Sequence, residues 1–220
     1  MVHTIEKQRK ENDTLLQFHN SLFNPESVEQ RVFLNFVSLQ SNANKFYIIE
    51  FQEGSGTQPF CIYTEYGRMG RTPRQESRYF SSRETANQFF HSLLSSKKAK
   101  GYELVAIEED FDDLFTPRIN QIHNRSLRIE PNSLSLHTQL GELSEIQLHR
   151  GLQILEEIEE RLMKDSSDLL YLSNKFYSLI PIVFGNKINM NDSVLDTHEK
   201  LYQRKEWLLN NLNALDNISG

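Results

Sequence analysis

The chemistry-bearing residues cluster in Tyr66-Gly67-Arg68-Met69-Gly70-Arg71, followed by Arg74, Arg78 and Arg83. Five arginines stand against one acid, Glu76, between Tyr66 and Arg83, in a chain of net charge -6. A local cationic cluster on an acidic chain is not a by-product of composition. Guanidinium forks suit phosphate oxygens, and an aromatic ring can pack on a sugar or a base. Gly67 and Gly70 bracket a turn and are expected to pass through positive φ, letting the backbone approach a ligand closely. The competing reading is a charged hairpin whose arginines are merely solvated.

Other chemistries find less support. Cys61 is the only cysteine, so an intrachain disulfide is excluded. The cysteine reads as a small sheet residue, because no histidine partner is suggested. The seven histidines are scattered, with no HExxH motif and no Cys/His set at metal-ligand spacing. Glu108 to Asp113 holds five acids in six residues. A linear acidic run beside a domain edge reads as a solvated linker rather than a carboxylate site.

The elements that must position the basic turn follow from periodicity. Val32–Leu39 reads as a strand or an extended lead-in, and Lys45–Gln52, Phe60–Tyr66, Gln75–Phe80 and Tyr102–Ile107 read as strands. In the third of these, Phe60, Ile62, Thr64 and Tyr66 share one face while Cys61, Tyr63 and Glu65 share the other. Ser81 and Glu84 have capping-box spacing ahead of a helix with Ala86, Phe89, Phe90, Leu93 and Leu94 on one stripe. Lys97, Lys98 and Lys100 favour the helix dipole at its end, and Gly101 closes it. Those lysines could also touch a nucleic-acid backbone, although dipole and solubility account for them.

Ahead of this unit, Met1–Gln30 is mixed in charge, with a short helix around Leu15 that Asn24-Pro25 stops. Behind the acidic run, residues 116–140 read as a linker broken by Pro117 and Pro131, with room for one short helix. The remainder is helical. Leu148, Leu152, Leu155, Ile158 and Leu162 form an apolar stripe behind a second capping-box spacing at Ser144–Gln147. A helix over Asp168–Leu179 stops at Pro181, and Asn191-Asp192-Ser193 is expected to cap the last one. His198 reads as a core histidine on that last stripe, and Trp207 as filling a groove between helices.

Composition sets the bounds. At 220 residues, 38% hydrophobic, the chain holds one large or two small domains. The stretch from Lys45 to Val105 carries nine Lys/Arg against six Asp/Glu, leaving -9 for the rest. That asymmetry favours an anionic partner for the sheet unit. No apolar run suits a membrane span, and Met1–Lys10 lacks signal-peptide character, so a soluble intracellular setting is expected.

Two stretches carry a family resemblance. Asn44–Val105 resembles a WGR domain, with Tyr66-Gly67-Arg68 for the Trp-Gly-Arg signature and Lys45-Phe46-Tyr47-Ile48-Ile49 similar to its opening strand. Tyrosine keeps a stacking ring where the signature has tryptophan. Leu140-Gly141-Glu142-Leu143-Ser144-Glu145-Ile146-Gln147 resembles the Leu-Gly-x-Leu-Ser-x-x-Gln segment of the regulatory (helical) domain of poly(ADP-ribose) polymerases (PARPs). Asn174-Lys175-Phe176-Tyr177-Ser178-Leu179-Ile180-Pro181, then Phe184-Gly185, are similar to further elements of that domain. The fold expected is α+β: a small antiparallel sheet with one packed helix, then a helical bundle. Its divisions are 1–31 tail or docking helix, 32–107 WGR-like domain, 108–139 linker and 140–220 partial regulatory domain. The first regulatory helices have no place in this division, so high amide exchange is expected across Leu143–Leu215.

The resemblance implies the DNA-strand-break-sensing and regulatory portion of a PARP-type NAD+ ADP-ribosyltransferase, acting in DNA repair in the nucleus. In that family, break binding destabilises the helical domain that blocks NAD+ access. Arg68 would meet phosphate near a strand end and Tyr66 would pack on a sugar or base. Arg71 and Arg74 would add backbone contacts, while Gly67 and Gly70 would shape the turn. The family's His-Tyr-Glu transferase site finds no counterpart within 1–220, so NAD+ would serve only a transferase domain in cis or in trans. The alternatives are a non-catalytic DNA-end-binding or partner-regulating protein complete as written, and an unrelated α+β interaction module.

Overall fold

A computed structural model describes residues 22–111, 137–138, 141–143, 145–164 and 168–219. The sheet unit holds β1 (Asn24–Ser38), β2 (Ala43–Ser55), β3 (Phe60–Arg68), β4 (Arg74–Phe80) and β5 (Glu103–Phe111). Their order is β4-β3-β2-β1-β5, and every neighbouring pair is antiparallel. One helix, α1 (Arg83–Ala99), carries the chain from the β4 edge to the β5 edge. With the helices that follow it, this is the α+β architecture expected from the sequence.

Two strands are longer than their apolar runs. β1 begins at Asn24, within the span read as a tail, and Pro25 lies inside the strand. Register shifts between Pro25 and Ser27 and between Val28 and Gln30 show how: proline is tolerated at a strand start beside a bulge. Lys45–Ile49 therefore belongs to the second strand, at the centre of the sheet. At the other end, Glu108, Glu109 and Asp110 belong to β5, with Glu108 opposite Arg31 in register. They are not linker. The long partner strand supplies backbone pairing that overrides the poor strand propensity of acids. Residues 1–21 and 112–136, including the helix expected around Leu15, lie outside the described residues.

Alternation builds the core. Val32, Leu34, Ile49, Phe51 and Ile62 turn one face toward Ala86 and Phe90 of α1. Phe33, Phe46, Ile48, Met69 and Val105 form a smaller cluster on the opposite side. Cys61 is buried, and that burial pushes its thiol up to about 11, the state of an inert sheet residue. The helix cap is Ser82 in an extended conformation with no side-chain bond, so the Ser81–Glu84 capping box does not form. Instead Thr85 Oγ1 donates to the Ser82 carbonyl. Gly101 adopts φ +85 and its N–H donates to the Lys98 carbonyl, ending the helix as expected.

The helical unit comprises α2 (Glu145–Met163), α3 (Leu169–Leu179), the single turn α4 (Met190–Ser193) and α5 (His198–Ser219). A two-residue hairpin, β6 (His137–Thr138) and β7 (Gly141–Glu142), precedes it. Leu148, Leu155 and Ile158 of α2 meet Phe176, Leu201 and Leu208 in one core. Gly151 lets the helices approach, since a Cβ there would sit 3.1 Å from Ile180 and Leu208 side-chain atoms. Two expectations change here. Asn191–Ser193 forms its own turn, and α5 starts after Thr197, which accepts the Leu201 N–H on its carbonyl and the Lys200 N–H on Oγ1. The extended break at Val194 shifts the helical phase. His198 is consequently exposed, not a core residue, whereas Trp207 packs against the core as expected.

Candidate nucleic-acid interface

β3 delivers Tyr66 and Arg68 to one end of the sheet, and the chain turns immediately. Met69 is buried and donates its N–H to the Asn44 carbonyl, while the Arg71 N–H closes the turn on the Arg68 carbonyl. Gly70 adopts φ +79, which L side chains rarely reach. Gly67 does not: it is an ordinary strand residue paired with Phe46, and a Cβ there would sit at ordinary contact distance, 3.4 Å, from Pro73. The expectation of positive φ at both glycines is thus corrected at Gly67. At Gly70 a Cβ would lie 3.1 Å from Val183 of the helical unit, so its smallness serves packing between units.

The five arginines separate into two groups. Arg83 is clamped by Glu29 and Glu53 at 2.6 and 2.5 Å, and Arg78 pairs with Glu76 at 3.3 Å. The same groups push Arg83 up from its ordinary value, with the hydrogen bond to Glu29 the largest cause. Arg68, Arg71 and Arg74 form no salt bridge among the described residues. Arg68 donates to the Asn42 carbonyl at 2.6 Å, to Asn42 Oδ1 at 3.0 Å and to the Asn186 carbonyl at 3.3 Å. Its Nε has no partner among the described residues. Arg71 donates to Asn186 Oδ1. Arg74 is exposed and lies directly across from Tyr66 in register. Three guanidinium charges thus face neutral groups or solvent.

Tyr66 is held on two sides. Its ring stacks on Tyr47 at 5.1 Å with 13° between planes, and its hydroxyl donates to Glu76 at 2.5 Å. That hydrogen bond pushes the phenol up from its ordinary value. Lys45, exposed, pairs with Arg68 across the strands and extends the cationic rim. Lys45 was legible as the first residue of a strand but not as a member of the site, because cross-strand register is not visible locally. Of the three lysines ending α1, Lys98 and Lys100 are exposed and Lys97 is half-buried over the Tyr47 ring.

The turn also sits on a polar seam with the helical unit. Asn35 donates to the carbonyls of Tyr177 and Ser178, at 3.0 and 3.2 Å, satisfying the open end of α3. The Val37 N–H donates to Ser178 Oγ and the Leu39 N–H to Asn174 Oδ1, both at 2.8 Å. Asn44 donates to the Ile182 carbonyl at 2.8 Å. Asn42, the one described non-glycine residue at positive φ (51°), accepts the Ile188 N–H at 2.8 Å. Val37 and Leu39 insert into the helical core beneath these bonds. These asparagines are the fasteners between the units.

Residues 30–109 match the WGR domain, and residues 122–219 match the poly(ADP-ribose) polymerase regulatory domain. The second match begins inside the stretch read as linker. Poly [ADP-ribose] polymerase 2 of Arabidopsis thaliana is 24% identical over 219 residues, covering 80% of this chain and 34% of that protein. Poly [ADP-ribose] polymerase 2-A of Oryza sativa subsp. japonica is 27% identical over 215 residues, covering 80% and 32%. Protein mono-ADP-ribosyltransferase PARP3 of Homo sapiens is 26% identical over 223 residues, covering 80% and 41%. The chain carries a WGR domain followed by a PARP regulatory domain. It spans between a third and two fifths of the length of these curated relatives. No described helix is long and apolar enough to cross a membrane.

Proposed function

We propose that the chain is the DNA-strand-break-sensing and regulatory portion of a PARP-type NAD+ ADP-ribosyltransferase, acting in DNA repair in the nucleus. One observation carries the reading: Arg68 and Arg71 reach the helical-unit loop at Asn186 through neutral acceptors only. A phosphate oxygen accepts a charge-assisted hydrogen bond about twice as strong as a neutral one. DNA at the turn would therefore draw both guanidinium groups away from Asn186, with Arg74 and Lys45 adding backbone contacts. Tyr66 would offer its ring to the sugar or base at the strand end.

Releasing Asn186 loosens the loop that follows Pro181, where Asn44 and Asn42 also fasten the units. The helical unit then becomes a two-state element biased by a distant ligand. Under this reading NAD+ is consumed by a transferase domain in cis or in trans, in protein poly-ADP-ribosylation, and no residue of 1–220 is assigned to it. Sequence preference should be weak, because contacts fall on phosphates and sugars rather than base edges.

The test is fluorescence anisotropy on a 5′-phosphorylated nicked duplex and on a closed hairpin duplex, with amide exchange run in parallel. Tighter binding to the nick is expected. Arg68→Ala should lose that preference and reduce the log-log salt slope by about one. Exchange across 181–190 should rise on adding nicked DNA. Equal weak binding to both duplexes, unmoved by Arg68→Ala, would refute the reading.

A further inference from the structure

Lys97 occupies a seat unlike that of its neighbours on α1. Its Nζ lies 3.5 Å from the centre of the Tyr47 ring and 5.9 Å from those of Tyr66 and Tyr102. Tyr102 meets Tyr47 edge-on at 6.4 Å and is backed by Phe36 at 5.4 Å. The Lys97 carbonyl accepts the N–H groups of Lys100 and Tyr102, so one residue fixes both the ammonium and the backbone that presents the third ring. Burial, and after it the neighbouring Lys100, pushes the ammonium down from its ordinary value. Lys98 and Lys100, two exposed cations on the same helix end, make no ring contact among the described residues.

We propose that Lys97 is a positioning residue for Tyr66: its ammonium over Tyr47 holds the near-parallel Tyr47–Tyr66 stack that presents the outer ring to a nucleotide. The physical reason lies in the ring quadrupoles. At 5.1 Å and 13° the two rings lie offset, an arrangement that aromatic pairs prefer over a face-to-face sandwich because the ring faces are negative and the edges positive. The ammonium is attracted to the negative face of Tyr47 and holds that ring in the position on which Tyr66 stacks. The hydrogen bond from the Tyr66 hydroxyl to Glu76 fixes the far end of the ring. With both ends held, the ring is preorganised and no ordering cost falls on ligand binding. The alternative, a direct phosphate contact, needs an ammonium free to leave its aromatic seat.

This inference rests on DNA-end binding as proposed above, so its test carries a DNA-free arm. Anisotropy titrations on the nicked and closed duplexes would compare the full chain with Lys97→Met, Lys97→Arg and Lys98→Met over a salt series. Lys97→Met should weaken binding to the nick about three- to tenfold, with the closed duplex and the salt slope unchanged. Lys97→Arg should restore most of the loss, because a guanidinium also sits over an aromatic face. A slope reduced by about one, with both duplexes weakened alike, would make Lys97 a phosphate ligand and overturn the proposal. So would a Lys97→Met chain that binds like the unsubstituted one. In the DNA-free arm, NMR should show ring-shifted Lys97 ε-methylene signals and a displacement of the Tyr66 ring signals in Lys97→Met. If the unsubstituted chain does not prefer the nick, DNA-end reading fails and this arm alone decides. Unmoved Tyr66 signals there would overturn the positioning role.

Discussion

The two faces of the sheet are closed by different physics. Against α1 the closure is apolar: Leu34, Ile49 and Ile62 are fully buried beneath Phe90. Such burial is non-directional and stabilises in proportion to the area removed from water. Toward the helical unit, the corner from β1 into β2 is fastened by Asn35, Asn42, Asn44 and, from α3, Asn174, each placed on a backbone group. Those bonds are directional and individually modest. A single helix fixes the first face; the second adds a row of placed hydrogen bonds to the apolar insertion of Val37 and Leu39. The arginines of the turn lie on the hydrogen-bonded side.

Four substitutions would break or sharpen this contrast. The largest effect is expected for Phe90→Ala, which empties the centre of the apolar face. It should cost about 3 to 5 kcal/mol, read as a fall in the urea midpoint. Asn35→Ala should cost about 2 kcal/mol, because the Tyr177 and Ser178 carbonyls would be left buried without their donor. Its signature should be regional: amide exchange rises around α3 while the α1 face stays protected. If Asn35→Ala instead loosens both faces equally, the seam is not separable from the sheet core. The smallest and most discriminating pair is Gly70→Ala against Gly67→Ala. The first should cost roughly 1 to 2 kcal/mol, from strain at φ +79 and the approach to Val183. The second should stay within about 0.5 kcal/mol, as thermal melts would show. Equal costs at the two glycines would contradict the turn geometry.

Most of the architecture was legible because it is local. Alternation fixed the faces of β3, and the Ala86–Leu94 stripe fixed α1 and its buried side. What misled was also local. Pro25 reads as a stop, yet a bulge admits it; Glu108–Asp110 reads as linker, yet β1 extends far enough to pair it. His198 was assigned by period, and a break at Val194 reset that period. The candidate site was legible as a set of residue types, Tyr66, Arg68, Gly70, Arg71 and Arg74, but not as a set of partners. Composition could not say that Arg78 and Arg83 are neutralised by Glu76, Glu29 and Glu53.

By itself, then, the sequence determined the elements, their buried stripes and the concentration of cations at one turn, because these depend on neighbours within a few residues. Only the tertiary structure decided which cations stay uncompensated, which glycine is strained and which asparagines join the units. Apart from the Arg78–Glu76 pair, two positions apart, those answers depend on residues 30 to 146 positions away in the chain, brought into reach by strand register and by the docking of α3 on β1.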